Sequence, residues 1–180
     1  ARRGKAWAAV GLAVSLLVLV AAGIAMWGTG HGAIKRATGR PLVGQAPPGF
    51  ILSLLDGGQL TLADLQGKPT VINFWATWCK PCKEELPALQ SVWNEYQNKG
   101  VGFVGIAYRE QEAAVRTAIG LYSLTYPLGL DAQEAIANSY GITAVPETFI
   151  LDSQGKVAYV HIGQVTAEQL RQELDSLLGS

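Results

Sequence analysis

Two cysteines, two histidines and one methionine are all that 180 residues contain of the softer side chains, and this scarcity excludes several kinds of protein. A tetrahedral zinc site would need Cys79, Cys82, His31 and His161, and those histidines stand far apart with no metal-ligand spacing, so no metal is expected. A purely structural bridge between Cys79 and Cys82 would close so short a loop that it removes little unfolded-state entropy. Acidic residues are missing altogether from positions 1–44, which carry six Lys and Arg, whereas 45–180 carries eight against fourteen Asp and Glu. The formal net charge of zero therefore hides an acidic main body without the basic stripe that nucleic acid would require. There is no internal repeat and no low-complexity tract.

Charge is also absent from Trp7 to Trp27, an apolar stretch of the length that spans a bilayer as a helix, with a tryptophan at each end where interfacial aromatics sit. A cleaved signal peptide competes with this reading, since Arg2, Arg3 and Lys5 form a basic leader, but the apolar run exceeds the usual signal core. Arg2-Arg3 also raises a twin-arginine export signal, which nothing around the pair supports. The expected organisation is a basic cytoplasmic tail at 1–6, a transmembrane anchor at 7–27, a flexible linker at 28–48 and one α/β domain at 49–180. The positive charges flanking the span nearly tie. Because the first group hugs the membrane, the N-terminus is placed inside and the domain on the extracytoplasmic side.

Both cysteines lie in Trp75-Ala76-Thr77-Trp78-Cys79-Lys80-Pro81-Cys82-Lys83, directly after an apolar strand and at the mouth of a predicted helix. Three residues apart on the first helical turn, their thiols share a face and are close enough to bridge. Unpaired N–H groups at the helix start, with Lys80 beside them, favour a thiolate at Cys79, which is read as the nucleophile. Cys82, one turn further in, would resolve a mixed disulfide formed on Cys79. Pro81 suits the first turn, where its missing N–H costs nothing.

Along the rest of the chain, Phe50–Leu55 and Gln59–Leu62 flank Asp56-Gly57-Gly58 as an N-terminal hairpin. Thr70–Trp75 reads as a buried strand, followed by a helix that Pro87 should kink and that stops at Lys99-Gly100. A strand over Val101–Ala107, a helix from about Glu110 to Leu121, a strand over Tyr126–Leu130 and a helix over Ala132–Tyr140 follow. Strands at Thr148–Leu151 and Val157–His161 are joined by Asp152-Ser153-Gln154-Gly155, and Thr166 opens a last helix to Leu178. Such alternation means one α/β domain.

The run from Val71 to Pro87, with its Trp-Cys-Lys-Pro-Cys core, and the run from Tyr140 to Lys156, with Val145-Pro146-Glu147-Thr148-Phe149, resemble the thioredoxin superfamily. Within it they are similar to the membrane-anchored TlpA, ResA and CcmG type of thiol-disulfide oxidoreductase. The resemblance covers about 45–180 and implies a thioredoxin-like fold carrying the N-terminal β-hairpin and a central helix-strand insertion between Glu110 and Leu130. It implies a cis peptide before Pro146, facing the cysteines and leaving the Val145 backbone free to pair with a client strand. Trp78, Lys80, Pro81, Val145 and Glu147 would then form the client-binding surround, with Glu147 touching substrate or tuning the thiols. Asn73 stands where ordinary thioredoxins have a buried Asp that handles the inner cysteine's proton, and Asn cannot do that. Glu85, three residues after Cys82 on the same helix face, matches the acid thought to replace it, with a pKa raised by burial. The alternatives are a solvated helix glutamate at Glu85, a surface role for Glu147 and an ordinary turn proline at Pro146.

The family also implies clients with disulfides, apocytochrome c among them, and electrons from a membrane protein of the CcdA or DsbD type; no cofactor is expected. A peroxidase on the same fold competes, but its Pro-x-x-x-Thr-x-x-Cys signature meets Ile72 and Ala76 here. A disulfide donor, in which the same dithiol runs the other way, and a binding module without turnover are the remaining readings.

Overall fold

A computed structural model describes residues 39–179. The anchor and tail expected at 1–27 and the first part of the linker lie outside these residues, and no helix among the described ones is long and apolar enough to cross a membrane.

Two strands carry the architecture because their side chains are buried on both faces: β3 (Thr70–Trp75) and β4 (Gly102–Tyr108). They run parallel, Val71 opposite Phe103 and Trp75 opposite Ala107, and α1 (Lys80–Tyr96) makes the crossover between them. The hairpin of β1 (Ile51–Leu54) and β2 (Gly58–Thr61) joins this core through β5 (Leu128–Asp131), while β6 (Glu147–Leu151) and β7 (Val157–Ile162) extend the other side antiparallel. The seven-stranded order is β2-β1-β5-β4-β3-β6-β7. α2 (Glu112–Tyr122) and β5 are the expected insertion; α3 (Ala135–Ser139) and α4 (Ala167–Leu178) complete the domain.

Strand parity divides the core. Val71 and Trp75 pack with Leu86, Leu89, Val92, Leu170 and Leu174 on the face covered by α1 and α4, each full burial contributing roughly 2 kcal/mol. Ile72 and Phe74 pack with Phe50, Tyr140 and Phe149 on the opposite face, where Tyr140 stands edge-on to Phe149 at 5.3 Å. Asn73 and Thr148, opposite each other in the β3–β6 register, therefore point toward α1, and their neighbours Phe74 and Glu147 point away.

Several boundaries differ from the sequence expectations for local reasons. α1 is a single helix with Pro87 on its exposed side, followed by a 3-10 turn (Gln97–Lys99) that ends at Gly100, φ 78°. α2 begins at Glu112 rather than Glu110, whose carboxylate instead accepts the Thr77 N–H. β5 begins after Pro127, and α3 is shortened because Asp131 Oδ2 accepts the Ala137 N–H at 2.7 Å. The α4 start is as read: Thr166 and Gln169 form a reciprocal capping box. Part of the stretch expected as a linker is bonded to the domain, since Gly44 N donates to Val157 O at 2.8 Å and Val157 N donates to Gln45 O at 2.9 Å.

Candidate functional site

The apolar run of β3 ends at Trp75, and the chain turns through Ala76-Thr77-Trp78 into α1, so the start of that helix is held at the end of the central strand. Cys79 is its N-cap: the Cys79 Sγ accepts the Cys82 N–H at 3.1 Å. The two cysteines are bridged, with S–S 2.09 Å and Cα–Cα 5.3 Å. Cys79 retains 6% exposure and Cys82 none, so an outer and an inner sulfur are distinguished as the sequence suggests.

The Val145–Pro146 peptide is cis, and the Val145 carbonyl oxygen lies 3.4 Å from Cys79 Sγ. This brings together two motifs 66 residues apart. Trp78 stands 59% exposed beside them, its Nε1 donating to the Arg109 carbonyl at 3.3 Å. Lys80 and Pro81 are exposed on the same helix start, and the Lys80 ammonium is shared with Glu84 at 3.7 Å.

Glu85 is wholly buried rather than on the solvated side of α1. Asn73 Nδ2 donates to Glu85 Oε1 at 2.8 Å and Val165 N donates to Oε2 at 2.9 Å, while a second Asn73 N–H reaches Thr148 Oγ1 at 2.9 Å. Burial pushes the carboxyl up to about 7 against the pull of those two donors. A buried carboxyl one turn from Cys82 and poised near neutrality is chemically able to take and return a proton. Asn73, read from sequence only as unable to act, is what holds it. A polar residue in the middle of the apolar run Val71-Ile72-Asn73-Phe74 was the available signal, because a buried amide needs partners.

Glu147 is not gathered with the others. Only 1% exposed, it faces the opposite side of the sheet, and its carboxylate meets Arg40, Nη1 to Oε1 at 2.8 Å and Nη2 to Oε2 at 3.0 Å. Burial lifts this carboxyl to about 7 as well, against the opposing pull of the Arg40 cation. Nothing in the spacing pointed to Arg40, 107 positions away. Among the described residues no cluster of His, Cys, Asp and Glu is arranged to hold a metal ion.

A bridged dithiol at a helix start, facing a cis-proline loop on this fold, makes the protein a thiol-disulfide oxidoreductase. The chain belongs to the AhpC/TSA family, whose model matches residues 43–160. It is similar to the thiol-disulfide oxidoreductase ResA of Geobacillus thermodenitrificans (strain NG80-2), 37% identical over 135 residues that make up 75% of this chain and 78% of that protein. Among solved structures, a putative thiol:disulfide interchange protein DsbE from Chlorobium tepidum superposes with a TM-score of 0.72 at 26% identity, covering 77% of this chain and 99% of that one. StoA from Bacillus subtilis superposes with a TM-score of 0.63 at 32% identity, over 71% and 96% respectively. The fold is thioredoxin-like.

Proposed function

We propose that the protein is a membrane-tethered, extracytoplasmic reductase of protein disulfides, acting on clients such as apocytochrome c and recharged by a membrane electron donor of the CcdA or DsbD type. The observation that carries the reductase reading is Glu85, buried one turn beyond the shielded Cys82 and close to neutrality at its carboxyl. A dithiol that must release a reduced client depends on deprotonating its inner thiol, and the burial of this carboxyl one helical turn from Cys82 supports that role for it. The uncharged stretch 7–27 with its basic leader supports the tether, and resemblance supports the client and the donor.

In the reduced protein the Cys79 thiolate attacks one sulfur of a client disulfide, forming a mixed disulfide and expelling the other client sulfur as a thiolate. Glu85 takes the Cys82 proton. The Cys82 thiolate then attacks Cys79 Sγ, closing the 79–82 bridge and releasing the second client sulfur, so two electrons pass to the client and the protein ends in the bridged state. Val145 and Pro146 receive the client strand beside Cys79, and Trp78, Lys80 and Pro81 flank it.

The test is the equilibrium reduction potential of the Cys79–Cys82 pair in the full chain in detergent, against a dithiothreitol or glutathione series at neutral pH. A value near that of thioredoxin, about −270 mV, supports the reductase; a value near about −120 mV overturns it in favour of a disulfide donor. The N-cap position of Cys79, which favours its thiolate, is the specific feature on the donor's side.

A further inference from the structure

The pairing of Arg40 with Glu147 sits beneath the loop that faces the cysteines, and the described sulfur chemistry does not use it. Glu147 follows Pro146 directly and begins β6, so its side chain fixes the end of the 141–147 loop. At the loop's other end Gly141 has φ 65°, and a Cβ there would lie 2.7 Å from the Arg40 backbone nitrogen. Only a residue without a side chain lets the Arg40 backbone pack that closely. One residue thus touches both ends of the loop, with its backbone against Gly141 and its guanidinium on Glu147. Between these ends Thr143 and Ala144 are exposed and Val145 is half-buried, with the Val145 carbonyl facing Cys79 Sγ.

Arg40 Nη2 donates to Glu147 Oε2 at 3.0 Å, while Nη1 lies 2.8 Å from Oε1 as an ion-pair contact without hydrogen-bond geometry. One directed bond and the charge of a planar guanidinium therefore hold the carboxylate, and a Lys ammonium would supply the charge without that placement. Glu147 points away from α1 by strand parity, so the pair acts on the site through the position of the loop rather than by contact with sulfur. The segment that enters the domain is further held by the Gly44 and Gln45 bonds to Val157.

We propose that Arg40 is a positioning residue for exchange with protein disulfides: it clamps the 141–147 loop at both ends and so fixes where the Val145 backbone presents a client strand to Cys79. This rests on the reading of the Val145–Pro146 loop as the client's docking place. A clamp of this kind serves a substrate that pairs with the loop and is of little consequence to a small disulfide that needs only the sulfur.

The experiment uses the pre-reduced full chain in detergent, mixed in single turnover with a disulfide-bonded peptide and, separately, with a small aromatic disulfide. Arg40→Gln should slow the peptide reaction about tenfold more than the small-disulfide reaction, within the roughly hundredfold loss that a 1 Å misplacement can cause. Arg40→Lys, which keeps the charge without the planar guanidinium, should fall between Arg40→Gln and the parent. Melting temperatures of each variant fix an assay temperature at which all are folded. Equal slowing of both reactions, or no slowing of either beside a lowered melting temperature, overturns the clamp and leaves the client reading standing. A parent protein that exchanges with the small disulfide and never with the peptide overturns the docking place itself, and the clamp with it.

Discussion

The two faces of the central sheet each bury one glutamate near the active end, and the pair differ in what holds them. Glu85, toward α1, is bonded only by neutral donors, the Asn73 amide and the Val165 N–H, whereas Glu147, on the opposite face, is gripped by a guanidinium. Burial raises both carboxyls to about 7. Similar displacement therefore serves different ends. A carboxyl among neutral partners can change charge without losing its bonds to a cation, while one paired with a guanidinium is structural as long as it is ionised.

The largest test of that difference is Glu85→Gln against Glu147→Gln. At neutral pH, Glu85→Gln should slow resolution of the mixed disulfide about a hundredfold, seen as client still attached to Cys79 on mass analysis after quenching. Glu147→Gln should not trap the intermediate. Equal trapping by both would erase the distinction between the faces.

Next comes the dependence of stability on pH in the bridged protein. Both folded-state pKa values lie above the unfolded value of 4.5, so between about 4.5 and 7 the folded chain keeps protons that the unfolded chain has released. The sign is a loss of stability as pH rises through that window. Glu85→Gln should remove about 3 kcal/mol of that decline between pH 4.5 and 8, measured by denaturant unfolding. A slope left unchanged would mean that Glu85 is ionised throughout.

Arg40→Gln should cost about 2 kcal/mol at pH 8, less than a fully buried pair because the Arg40 side chain is 27% exposed, and distinctly less at pH 5, where Glu147 is protonated. An equal cost at both pH values would show that packing, not charge, holds the Arg40 clamp. The smallest effect belongs to Thr148→Val, which removes the acceptor for one Asn73 N–H and should cost about 1 kcal/mol by unfolding, with little change in the pH slope.

Legibility in the sequence follows the same division. The cysteine pair, the strand before it, the loop at Pro146 and the capping box at Thr166 and Gln169 are local patterns, each written in a few consecutive residues, and the structure has all of them. Glu85 was readable because the resemblance supplied a role for an acid there, and helix spacing puts it on the same face as Cys82. The Arg40–Glu147 pairing was not, because no periodicity links a residue before the first strand to one at the start of β6. In the sequence Arg40 is one of three positive charges, with Lys35 and Arg36, that follow the uncharged stretch. The role of Asn73 was half visible: its polarity in a buried strand announced a partner, but the partner's identity depends on how α1 lies on β3. The peroxidase signature fails at Ile72 and Ala76, both buried in the structure, so the residues that distinguish the two chemistries lie within the strand and turn that carry the cysteines.

The capping of α1 by the Cys79 sulfur ties redox chemistry to folding. By thermodynamic cycle, the difference in unfolding free energy between the dithiol and bridged forms equals the difference in oxidation free energy between the folded and unfolded chains. A cap that strengthens as the sulfur becomes anionic adds to the stability of the dithiol form. Two heat-denaturation curves, one for each form, therefore rank the couple without any redox buffer. If the bridged form outlasts the dithiol, the fold itself pushes electrons outward; if the dithiol outlasts the bridge, the fold draws them in.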